Sequence, residues 1–198
     1  AAVSALAATL LAPEPAGPAL IIGAGAQARA HLEAFSAVLG VREFHVAARR
    51  HEQVEELVEH GRRLGLTMES EHGTLASIAN ASDSFPLIVT ATRSAEPLLA
   101  GGLHPNAFIA AIGAFTPLMA EIHPRIVGAA RLFVDTLDGA REEAGDLIQA
   151  GVNWDAVTPL ELALDLPRPA RGPVLFKSVG DALWDLAAAR AALAGLGG

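Results

Sequence analysis

The 198-residue sequence contains no cysteine, which excludes disulfides, thiolate metal sites and thiol catalysis together and fits a reducing, cytoplasmic compartment. Basic residues are few: 14 Lys and Arg stand against 22 Asp and Glu, giving a formal charge of −8. Those cations are scattered, so no stretch is suited to neutralising a phosphate backbone, and nucleic acid is not an expected partner. No apolar run approaches the roughly 20 residues that a membrane-spanning helix needs, so no membrane association is expected. The apolar opening "AAVSALAATLLAPEPA" lacks an initiating Met and the basic flank of a secretory signal. It reads instead as an amphipathic helix over residues 1–12, joined midway, with Val3, Leu6 and Leu10 at helical spacing and the Pro13–Pro18 stretch ending it. A further N-terminal part is expected to precede it.

What is present is an alternation of short apolar runs and helical patterns. "ALII" reads as a strand, followed by a helix over Gln27–Leu39 with Ala28, Leu32, Phe35 and Leu39 on one face. "EFHVAA" reads as a second strand. The helix after it, Glu52–Leu64, turns Val54, Leu57, Val58 and Gly61 inward and stops at Gly65. "PLIVTAT" (86–92), "AFIAAIG" (107–113) and "RLFVD" (131–135) have the continuous apolar character of buried parallel strands. The pattern predicts one α/β domain, a doubly wound parallel sheet over residues 1–170. After the Pro-rich "LDLPRPARGP", residues 171–198 form a C-terminal segment, "VLFKSVG" and a helical tail with Val179, Leu183, Leu186 and Leu193 on one face. This segment is expected to pack on the preceding N-terminal part.

Between the first strand and helix lies "GAGAQA". Gly23 permits a tight turn, Gly25 lets the backbone approach a pyrophosphate, and the small Ala28 lets the helix sit close to the sheet. The helix N-terminus beyond adds free N–H groups and a positive dipole end. The pattern fits a Rossmann dinucleotide site, against the alternative of a merely tight structural turn. The second strand ends "VAARR", with no carboxylate to accept a ribose 2′-hydroxyl and two cations able to pair with a 2′-phosphate. NADPH is therefore expected over NADH, with Arg49 the main contact and Arg50 beside it; otherwise both arginines only solvate a loop.

Other residues read more plainly. The seven His show no metal-ligand spacing and are assigned surface or capping roles, so no metal is expected. Glu142, Glu143 and Asp146 of "REEAGDL" read as a solvated helix face. Asp135 ends a strand where site residues often occur, or caps the next turn. Asp181 and Asp185 suit the first turn of the last helix, and Trp154 and Trp184 read as packing residues. Lys177 is the single lysine. Because side chains alternate along a strand, Lys177 and Ser178 should point oppositely, and Ser178 is assigned to the site.

Taken together, "AAVSALAA", "GAGAQARAH", "ATRSAEPLL", "AAIGAFTP", "FVDTLDGAREEAGDL" and "VLFKSVGDALWDLAAA" resemble the ornithine cyclodeaminase and mu-crystallin family. The resemblance implies an NAD(P)-dependent enzyme acting on imines of small amino acids, with an N-terminal substrate and dimerisation domain before the Rossmann domain, and so a homodimer. It implies that Ala26 and Gln27 lie over the pyrophosphate, that Arg49 is the arginine of NADPH-using members, and that Ser178 and Val179 reach toward nicotinamide and substrate. Thr90 and Ala91, and by the same reasoning Ile112, Gly113 and Ala114, should lie at the sheet edge that binds ligand. The substrate-carboxylate residues are expected in the N-terminal part. Where ornithine cyclodeaminases resemble this chain through "AIGAFTP", they carry a catalytic Asp in place of Phe115. Phe cannot move a proton, and the "GAFTP" form resembles Δ1-pyrroline-2-carboxylate reductases. NADPH-dependent reduction of a cyclic ketimine is the expected activity, with Phe115 and Val179 facing the substrate. The alternatives are an ornithine cyclodeaminase, an alanine dehydrogenase, or a mu-crystallin-like protein that binds NADPH and a small ligand.

Overall fold

Each central strand sends alternate side chains into two different apolar layers, and this sets the architecture. In the computed structural model, which describes residues 1–71 and 82–196, the elements are α1 (Ala2–Leu11), β1 (Ala19–Ile22), α2 (Ala26–Leu39), β2 (Glu43–Ala47), α3 (His51–Arg63), β3 (Thr67–Ser70), β4 (Leu87–Thr90), β5 (Phe108–Ala111), α4 (Pro124–Ala129), β6 (Arg131–Val134), α5 (Leu137–Glu143), α6 (Gly145–Ala150), β7 (Thr158–Pro159), α7 (Leu160–Ala163), β8 (Val174–Lys177) and α8 (Ala182–Leu196). The strands form one eight-stranded parallel sheet in the order β3-β2-β1-β4-β5-β8-β6-β7. Ala19 and Ile21 of β1, with Leu87 and Val89 of β4, face the layer that holds α1, α2, α3 and α7. Leu20, Ile22 and Ile88 face the layer of α4, α5 and α6. The expected doubly wound α/β sheet is present.

Chain order runs outward from β1 through β2 to β3, then returns to β4 on the other side of β1. That reversal opens a crevice beyond the C-terminal ends of β1 and β4, where open parallel sheets bind ligands.

Four expectations need correction. The boundary at residue 170 does not separate the C-terminal segment from the sheet, because β8 is inserted between β5 and β6. Beyond it, Leu183, Leu186 and Leu193 of α8 are exposed. The edge strands β3 and β7 were not expected; they are short and largely lack the continuous apolar run of central strands. In α1 the packing face is Ser4, Ala5, Ala7, Ala8 and Leu11, while Leu6 is 44% exposed. The helix lies against α2, and small side chains allow the close approach; Val3 and Leu10 pack at the edge of this face as expected, and only Leu6 points away from it. His31, expected at the surface, is fully buried between these two helices. Its Nδ1–H donates to the Gln27 carbonyl at 2.7 Å, leaving Nε2 to accept from the Ser4 hydroxyl at 2.8 Å.

Candidate functional site

The glycine turn sits in the crevice. Gly23 follows β1 with φ of 127°, a conformation that favours glycine, and a Cβ there would meet the Ala91 carbonyl oxygen at 2.5 Å. Gly25 is the N-cap of α2 without a side-chain cap, and a Cβ built on it meets nothing within 4 Å. The space above the helix N-terminus is therefore open, and the first-turn N–H groups lack intrahelical partners.

Two clefts meet at this turn, sharing Gly25, Ala91, Thr92 and Arg93. One, of about 350 Å³, is bordered by Gly23, Arg49, Arg50 and Gln53 at the end of β2 and the start of α3. The other, of about 640 Å³, runs past Gln27, Ile112 and Phe115 to Ser178, Val179 and Trp184. Phe115 is 43% exposed at its wall. A third cleft, about 430 Å³ beside Arg131 and Asn153, lies at the N-terminal end of β6, away from the crevice. Among the described residues no group of three His, Asp or Glu is placed to hold a metal, and no helix is long and apolar enough to cross a membrane.

Buried carboxylates hold the walls of the larger cleft. Glu121 accepts from the Thr92 N–H at 2.6 Å on Oε1, and from the Gly113 N–H at 2.7 Å and the Thr90 hydroxyl at 2.9 Å on Oε2. Burial raises its carboxyl above the usual carboxylate range, while the Lys177 ammonium and the bonds to Thr92 pull the other way. Asp146 accepts from the Glu121 and Ile122 N–H groups at 2.6 and 2.9 Å on Oδ1, and Lys177 Nζ lies 3.1 Å from its Oδ2. On the opposite wall Asp135 Oδ2 accepts from Ser178 Oγ at 2.7 Å, Val179 N–H at 3.0 Å and Gly180 N–H at 2.9 Å. One carboxylate thus shapes the whole turn after β8.

Most of the predicted site residues come together. Gly23, Gly25, Arg49, Arg50 and Ala91 line the smaller cleft; Gly25, Ala26, Gln27, Ala91, Ile112, Gly113, Phe115, Ser178 and Val179 line the larger. Thr90 and Ala114 are fully buried and border neither cleft; Thr90 reaches the wall only through Glu121. Lys177 and Ser178 do diverge, the lysine into the core and the serine to the cleft. Asp146 is not on a solvated face: it is 1% exposed, whereas Glu142 and Glu143 are exposed. Trp184 borders the cleft rather than only packing, and Asp181 caps α8 by accepting from the Leu183 N–H at 2.8 Å. His104 and His123 cap local turns as expected, and His72 lies outside the described residues. Arg93, common to both clefts, and Glu121 were missed. "TATRS" after an apolar strand was a usable signal for the first; no local pattern marks the second.

The profile of the ornithine cyclodeaminase/mu-crystallin family matches residues 1–193. Δ1-pyrroline-2-carboxylate reductase 1 of Burkholderia multivorans is 38% identical over 173 residues, 87% of this chain and 54% of that protein. Ketimine reductase mu-crystallin of Mus musculus is 31% identical over 191 residues, 96% of this chain and 59% of that protein. The solved structure of the iminosuccinate reductase of Paracoccus denitrificans in complex with NAD+ superposes with a TM-score of 0.83 at 27% identity, over 95% of this chain and 59% of that one. The chain spans about half the length of the curated relatives it matches. By profile, by sequence and by fold, the chain belongs to the ornithine cyclodeaminase/mu-crystallin family.

Proposed function

We propose that this chain is the dinucleotide-binding part of an NADPH-dependent ketimine reductase that converts Δ1-pyrroline-2-carboxylate to L-proline. Δ1-piperideine-2-carboxylate, one methylene larger, is a second expected substrate. The observation that carries this reading is the pair of adjoining clefts, with Arg49 and Arg50 at one end and the exposed face of Phe115 at the other.

The residues present fit such a cofactor. A Cβ at Gly23 would collide with the Ala91 main chain, and one at Gly25 would meet nothing, which leaves a backbone surface for a pyrophosphate beside the amides of Ala26 and Gln27. Arg49 and Arg50 offer charge-assisted hydrogen bonds to a 2′-phosphate. Ile112, Phe115 and Val179 flank the far cleft with apolar surface. Ser178 commits its hydroxyl proton to Asp135, so toward the cleft it offers only lone pairs and accepts from an N–H of the ligand. When bound, the reduced nicotinamide would supply the hydride for the imine carbon, and water the proton for the imine nitrogen.

Phe115 has no proton to exchange, which disfavours ornithine cyclisation at this position. The names of the reductases from Burkholderia multivorans and Azospirillum brasilense, at 38% and 37% identity, support the substrate class. We extend the proposal, on family resemblance, to a cytoplasmic homodimer in which Leu183, Leu186 and Leu193 of α8 pack on an N-terminal substrate domain.

The test, on the full-length protein, is NADPH oxidation with each cyclic imine, beside ammonia release from ornithine and oxidation of alanine. Turnover with the imines alone supports the reading. Ammonia release or alanine oxidation overturns it in favour of the other enzyme activities, and tight NADPH binding without turnover favours a binding protein.

A further inference from the structure

We propose that Glu121 is a positioning residue for the nicotinamide end of the groove: its buried carboxylate ties Thr92 and Gly113, and with them the loops after β4 and β5, into one rigid wall. The inference rests on the dinucleotide reading above.

Thr92 and Gly113 border the larger cleft, whereas Glu121 is 0% exposed and borders neither cleft. Its carboxylate therefore acts through them. Three donors from three positions converge on its two oxygens, at 2.6, 2.7 and 2.9 Å. Two of those donors are backbone N–H groups beyond the strand ends, where the sheet ladder no longer supplies them with acceptors. A carboxylate can accept from all three at once. An amide of the same shape places an NH2 against at least one N–H or hydroxyl donor.

The main chain around Glu121 is tied to the same loops. Its carbonyl accepts from Leu98 and Leu99 at 2.8 Å each, and the Ala120 N–H donates to the Ser94 carbonyl at 3.1 Å. Arg93, shared by both clefts, sits inside this tied segment. A Cβ on Gly113 would collide with the Thr92 carbonyl and with Glu121 Oε1, so the absence of a side chain there is what lets the two loops meet at the carboxylate. Asp146 anchors Glu121 from behind through the Glu121 and Ile122 N–H groups, and Lys177 pairs with Asp146. The result is a relay of buried charge from β8 to the cleft wall, built from residues that the proposed chemistry does not use directly.

A positioning role and a merely structural one differ in which part of the cofactor they affect. The protein and its Glu121→Gln variant are titrated with NADPH and with 2′-phospho-ADP-ribose, which keeps the adenosine end and lacks the nicotinamide. The expected result is fragment affinity held within about twofold and NADPH affinity lowered at least tenfold. Equal loss for both ligands, or no loss for either, overturns the inference. If the variant lacks a cooperative unfolding transition, amide hydrogen exchange in the unsubstituted protein decides instead. Thr92 and Gly113 amides protected like those of β1 support the role, and exchange at the rate of an open loop overturns it. If the unsubstituted protein binds neither ligand, the dinucleotide reading itself fails.

Discussion

The two ends of the groove are built by opposite means. At the proposed adenosine end stand Arg49 and Arg50, both exposed and adjacent in sequence at the head of α3. At the proposed nicotinamide end, the wall is shaped by Glu121, Asp135, Asp146 and Lys177, none more than 3% exposed, whose partners, apart from Thr136 beside Asp135, are 8 to 45 residues away. Exposed charges cost the fold little and can be exchanged to change cofactor preference. Buried charges are coupled to folding, because each is satisfied only by its partner. The difference implies that substitutions at the first end alter affinity alone, and that substitutions at the second alter stability as well.

The largest expected effect breaks the buried relay. Lys177→Ala leaves Asp146 buried and unpaired and should lower stability by about 3–5 kcal/mol in denaturant unfolding, whereas Arg49→Ala should leave the unfolding midpoint unchanged. His31, buried between α1 and α2, gives the next effect. Burial holds its pKa down at about 4, against about 6.5 in an unfolded chain. The unfolded chain therefore takes up a proton first, so stability is full above about pH 6.5 and falls by up to about 3 kcal/mol as pH drops toward 4. Thermal unfolding across that range should show the loss, and His31→Gln should flatten it. At the adenosine end, Arg49→Ala should weaken NADPH by about 1.5–3 kcal/mol, tenfold or more, with NADH nearly unchanged; equal weakening of both cofactors in a titration would contradict the assignment. The smallest effect is expected from Arg50→Ala, about 0.5–1 kcal/mol on NADPH.

The same contrast explains what could be read before the structure. The strands, the inward face of α3, the glycine turn, the arginine pair and Phe115 are all local signals, carried by spacing or by motif within a few residues. Period-two alternation opposes Ser178 to Lys177, and the two side chains do diverge, one to the cleft and one to the core. Glu121 and Asp146 were not legible, since "LMAEIHP" and "REEAGDL" look like ordinary polar surface until tertiary structure brings β4, β5 and β8 beside them. Spacing found only the edge of the α1 face, Val3 and Leu10, because its centre is made largely of alanines, which carry little periodic signal. His31 failed for a related reason: its partner Ser4 is 27 residues away.

The central claim is that this chain holds a phosphorylated nicotinamide dinucleotide across both clefts. It is tested most directly by titrating the protein with NADPH and NADH at equal ionic strength. The account predicts saturable binding of both, with NADPH at least tenfold tighter; equal affinities, or no binding of either, would contradict it.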